Sequence, residues 1–141
     1  MIELFFDAPP GARLRSAAQP ESDVNKYDRA RGVELFEEVY AGDVQVPAGA
    51  AGPFVDFMLE TLFGTLWADE TLSIRDRRLL LIGAITALGD PVTLQIQLRA
   101  ALKRGELRAD QLDALAMFLT QYVGYPRGSQ LFRIVTELKA A

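Results

Sequence analysis

The stretch Asp90-Pro-Val-Thr-Leu-Gln-Ile-Gln-Leu-Arg-Ala-Ala-Leu-Lys-Arg-Gly105 decides the fold, because it reads two ways. Val92, Leu94, Ile96 and Leu98 alternate with Thr93, Gln95, Gln97 and Arg99, the period of a half-buried strand. Leu94, Leu98, Ala101 and Leu102 fall equally well on one stripe of a helix. The ends of the segment separate the two. Asp90 is a good N-cap, Pro91 suits the first helical position, and Gly105 suits the stop. The run is also long for a strand, which averages about 5–6 residues. The spacing therefore predicts a helix from Pro91 to about Arg104.

Working outward, the same punctuation recurs. Ser73 followed by Asp76 forms a capping box with Asp in place of Glu, opening a helix from about Ile74 to Leu88. Its second half, from Leu79, is apolar on nearly every face, which predicts the buried centre of a bundle. Leu112, Leu115, Ala116, Leu119 and Val123 mark a helix from about Ala109 that stops at Gly124. Leu131, Ile134, Val135 and Leu138 mark another from Pro126. Upstream, Asp28 caps a run through Tyr40 with Val33, Phe36 and Val39 on one side. Pro53 opens a segment in which Phe54, Met58, Thr61 and Leu62 recur at helical spacing. Residues 1–25, with Pro9, Pro10, Gly11 and Pro20, have no sustained period and read as an arm, whose Phe5 and Phe6 are expected to dock on a neighbouring subunit. The expected architecture is all-α: a single-domain bundle of about six helices over residues 26–141, preceded by that N-terminal arm.

Composition narrows the chemistry. The 141 residues amount to one domain, with 15 Lys and Arg against 19 Asp and Glu and a net charge of −4. A field of that sign disfavours nucleic acid and anionic membrane as partners. The first residues carry acids where a secretory signal carries bases, and the longest apolar run is about half of the ~20 residues that span a bilayer. A cytoplasmic protein is the expectation. There is no Cys and no His. That excludes disulfides, thiol redox chemistry, and thiolate or imidazole metal ligands, and it removes the commonest general acid–base near neutral pH. No metal and no cofactor is expected. Counting Gly and omitting Tyr, apolar residues make up about 55%, above a usual ~45–50%, more than one small core hides.

Several residues are candidates for a site. Arg75, Arg77 and Arg78 cluster at the start of the apolar helix, with Arg75 and Arg78 on one face and Arg77 elsewhere. A guanidinium matches a carboxylate with its planar fork, although Arg in a first turn is ordinarily solvated. Gln97 follows Thr93 by one turn, and the two are placed to form a polar notch in an apolar helix. Tyr122 and Tyr125 bracket Gly124 at a helix junction, where they are placed either to pack or to rim a pocket. Trp67 reads as a core or interface anchor. Asp110 with Asp113, and Glu34 with Glu38, share helix faces, but those faces read as polar and solvated.

Residues from Gly64 to about Leu138 resemble the carboxymuconolactone decarboxylase family, which includes proteins of the alkylhydroperoxidase D type. The matching pieces are Trp67, Leu72-Ser73, Asp76-Arg77-Arg78-Leu79, Ala84-Ile85-Thr86-Ala87-Leu88-Gly89, Leu98-Arg99-Ala100-Ala101-Leu102, Gly105 and Tyr122-Val123-Gly124-Tyr125-Pro126. The resemblance implies small helical subunits assembled as trimers or hexamers, and a small-molecule pocket near the helix bearing Gln97. The family's histidine falls on Gln97. The Cys-x-x-Cys pair of its redox members falls on Asp90 and Thr93, and their glutamate near Arg78. Ala68-Asp69-Glu70 also lacks the basic residue and proline usual after Trp67. Thiol peroxidase chemistry is thus excluded for this chain.

Two functions follow. One is a cofactor-free lyase acting on a small anionic lactone or carboxylic acid. Arg77 or Arg78 would clamp the carboxylate, Gln97 would steady the developing oxyanion, and Tyr122, Tyr125 or Asp76 would donate the proton. Trp67 and Thr93 complete the candidate substrate-binding set. The other is a non-catalytic oligomeric member that binds a metabolite or serves in assembly. A pocket packed shut by side chains favours the second.

Overall fold

The computed structural model describes residues 27–46 and 52–141. The expected arm over residues 1–25, with Phe5 and Phe6, lies outside the described residues. Six helices and no strand occur among those described: α1 (Arg29–Val39), α2 (Pro53–Phe57) running on without a break into a π-helical segment (Met58–Trp67), α3 (Ile74–Leu88), α4 (Pro91–Lys103), α5 (Ala109–Val123) and α6 (Tyr125–Ala140). The segment that reads two ways is helical. Asp90 caps it, its Oδ1 accepting the N–H groups of Val92 and Thr93, both at 3.1 Å. The Ser73–Asp76 capping box is also present, at 3.0 and 3.3 Å.

Two apolar cores form. Leu35, Phe36 and Val39 of α1 meet Leu59, Phe63 and Trp67 of the π segment, while Ile82, Leu94, Leu98, Leu112, Leu131 and Val135 hold α3–α6 together. The α1–π contact is made backbone to backbone. A Cβ on Gly32 would lie 2.0 Å from the Leu59 carbonyl oxygen, and one on Gly64 would lie 2.2 Å from that of Asp28. Only glycine permits this crossing.

Of the residues at helical spacing after Pro53, Met58 packs against the α1 core while Phe54 is 82% exposed, and Leu59, Phe63 and Trp67 are the buried row. The π segment's wider turn keeps residues four apart in line, and its Thr65 hydroxyl donates to the Glu60 carbonyl five residues back at 2.9 Å. One expectation is corrected: α3 is not buried all round. It buries Arg78, Ile82, Ile85 and Thr86, whereas Leu80 is exposed and Leu88 is 76% exposed. Among the described residues, helices cover one side of α3 only. No helix among the described residues is long and apolar enough to cross a membrane.

Candidate functional site

The α1 layer and the α3–α6 bundle meet across a polar seam, and its centre is Arg78. The side chain enters from the second turn of α3 and is 0% exposed. Its Nε donates to Glu106 Oε2 at 2.9 Å, and its Nη2 lies 3.4 Å from Glu106 Oε1. Nη1 donates to the Gln97 side-chain oxygen, and Nη2 also donates to the Val39 carbonyl at the end of α1. Its guanidinium carbon sits 5.8 Å from the Trp67 ring centre, within cation–π range. Trp67 in turn stacks on Phe63, which packs edge-on against Phe36 at 4.9 Å. Gln97 is 1% exposed. Among the described residues no buried side-chain polar atom lacks a partner.

Glu106 gathers the cations. Beyond Arg78, it accepts from Arg104 Nε at 2.6 Å, and its backbone carbonyl accepts from Arg75 Nε at 2.9 Å. Arg104 also reaches α1, donating to the Glu38 carbonyl at 2.9 Å and its carboxylate at 3.2 Å. Lys103 donates to the Ala41 carbonyl at 3.1 Å and to Asp43 at 2.5 Å. The last turn of α1 carries no basic residue of its own. Its Val39 carbonyl is met by Arg78 and its Glu38 carbonyl by Arg104, and Lys103 bonds Ala41 just beyond, so three cations surround the negative dipole end of α1. The Tyr40 hydroxyl lies here too. Burial pushes its pKa above the ordinary tyrosine value, against the opposing pull of Arg78 and its hydrogen bond with Gln97.

The sequence candidates divide accordingly. Arg78, Gln97 and Trp67 come together. Arg75 and Arg78 share Glu106, while Arg77 turns away to the Leu72 carbonyl and to Asp69. Thr93 does not share a notch with Gln97: its hydroxyl donates to the capping carboxylate of Asp90 at 2.5 Å. The short polar side chain finds a strong local acceptor at the helix start and takes it. Asp76 serves the α3 cap. Tyr122 and Tyr125 are 78% and 73% exposed, and neither hydroxyl joins the Arg78–Gln97 network. The carboxylate pairs are divided among cations: Glu34 with Arg31, Glu38 with Arg104, Asp110 with Arg108, and Asp113 with Lys139. Glu106 and Tyr40 are the members that sequence reading missed. A Phe36–Tyr40 spacing of four on α1 was the only local sign of Tyr40, and Glu106 had none.

A groove of about 600 Å³ lies elsewhere, between α5 and α6, lined by Met117, Thr120, Tyr125, Gly128 and Phe132 among others. No group of three or more acidic residues that could hold a metal ion occurs among the described residues.

The described residues form a small all-helical bundle with Arg78 of α3 buried against Gln97 of α4. The profile of the carboxymuconolactone decarboxylase family matches residues 52–137, more than half of the sequence, and the chain belongs to that family. No curated protein and no solved structure matches it.

Proposed function

We propose that this chain is a non-catalytic member of the family, acting as a self-assembling protein rather than as a lyase. The observation that carries this reading is Gln97. It occupies the position on which the family's histidine falls, yet it is buried with its oxygen accepting from Arg78. A decarboxylase needs a clamp, an oxyanion stabiliser and a proton donor that all touch the substrate. Here the best clamp, Arg78, is engaged by Glu106, Gln97 and the Val39 carbonyl. The donors suggested by sequence stand in solvent or in a helix cap. A neutral amide also cannot transfer a proton as imidazole does.

Self-assembly is supported by what the bundle leaves uncovered. Leu80 and Leu88 of α3, Met117 and Phe118 of α5, and Phe132 of α6 are all exposed. Large apolar surfaces of this kind mark interaction faces. The excess of apolar residues in the composition has the same explanation.

The test is a turnover assay of the full chain, at high protein concentration, on a panel of lactone carboxylates, dicarboxylates and aromatic acids. No turnover is expected. Turnover that disappears in Gln97→Ala and in Arg77→Ala would restore the lyase reading with its sequence-derived site.

A further inference from the structure

We infer that α1, α2 and the π segment form a layer that opens as one unit from the α3–α6 bundle, uncovering Arg78 and Gln97. Three observations carry this, and none depends on whether the chain is an enzyme. First, the apolar cores are separate. Leu81 packs against both, and Ile74 adds an apolar edge from α3, but the remaining buried residues of each core belong to one side. Second, apart from Leu81, Ile74 and the Trp67 ring over Arg78, the seam between them is built from donors and acceptors that water can replace: Arg78 on the Val39 carbonyl, Arg104 on Glu38, and Lys103 on Ala41 and Asp43. Separating such a seam returns polar groups to water, whereas separating an apolar core exposes hydrocarbon. Third, the layer has one covalent link to the bundle, residues 68–73, of which Asp69 to Ser73 are exposed. A single crossing lets the layer swing without threading the chain.

Within the layer the opposite holds. The Gly32–Gly64 crossing brings α1 and the π segment into backbone contact, and Phe36, Phe63 and Trp67 interlock across it. The two helices therefore move together. Cooperative units smaller than the whole domain are a general property of native proteins, and their boundaries fall where buried apolar contacts are few.

Hydrogen exchange read by mass spectrometry on the full chain tests this. Amides of 31–39 and 58–67 should share one protection level, at least about tenfold below the best-protected amides of α5 and α6. Lys103→Gln, which removes the bonds to Ala41 and Asp43 and no hydrogen bond within the bundle, should raise exchange in both layer helices by the same factor and leave α5 and α6 unchanged. Equal acceleration of α5 and α6 would mean that the molecule opens only as a whole, and acceleration of α1 alone would mean that the layer is not a unit. Either result overturns the inference. Trp67, the single tryptophan, gives an independent reading because it lies in the layer. Its emission should change at lower urea than the helical signal, and coincident transitions would equally overturn the inference.

Discussion

Arg78 and Glu106 show how much one buried charge demands. Taking a guanidinium out of water costs several kcal/mol, and the structure offsets this with a carboxylate, an amide oxygen and a helix-end carbonyl at once. Such an arrangement punishes partial loss. Glu106→Ala leaves Arg78 charged and dry, so unfolding in urea should show a loss of about 3–5 kcal/mol. Arg108→Ala, which breaks only the exposed pair with Asp110, should leave the midpoint where it was. Tyr40 adds a pH dependence. Its proton is held more tightly in the folded chain than in the unfolded one, whose value is near 10.0. The resulting stability is present below that value and is lost as pH rises through the higher folded value. Urea midpoints measured from about pH 8 to pH 11 should fall, and Tyr40→Phe should flatten the fall. Arg78 and Gln97 were both visible in the sequence as candidates. Their meeting was not, nor was Glu106, because 28 residues separate Arg78 from the carboxylate that neutralises it.

At the scale of the element, local chemistry was largely legible. Asp90, Pro91 and Gly105 settle α4 as a helix because a cap satisfies orphaned N–H groups that a strand would pair elsewhere. Ser73→Ala should cost about 1 kcal/mol and leave the fold intact, read as a lowered melting temperature. The π segment was not legible. Its buried row, Leu59, Phe63 and Trp67, alternates with apolar Phe54, Leu62 and Leu66 that are exposed, and only the placement of α1 decides which stripe is covered. Gly32→Ala tests that crossing. A methyl there meets the Leu59 carbonyl, and a loss of about 3 kcal/mol is expected, concentrated in the signal of Trp67.

For the whole molecule, the question is what covers the outer face of α3 and the α5–α6 groove. Light scattering on the eluting peak should give a multiple of the 15.6 kDa chain mass. Phe132→Glu puts a charge into the groove at a side chain that is already exposed within one chain, so it should shift the mass toward the monomer without loss of helicity. A monomeric wild-type chain at all concentrations would count against assembly as its role. By itself the sequence determined the helices, most of their ends, the all-α class and the exclusion of thiol and imidazole chemistry, because caps, glycines, prolines and the absence of a residue type act locally. Only the tertiary structure decided that Arg78 is a buried keystone joining Glu106, Gln97 and Val39, and that α3 shows an apolar face to the outside. Burial and pairing are relations between distant segments, and the energy of a charge depends on which of them surrounds it.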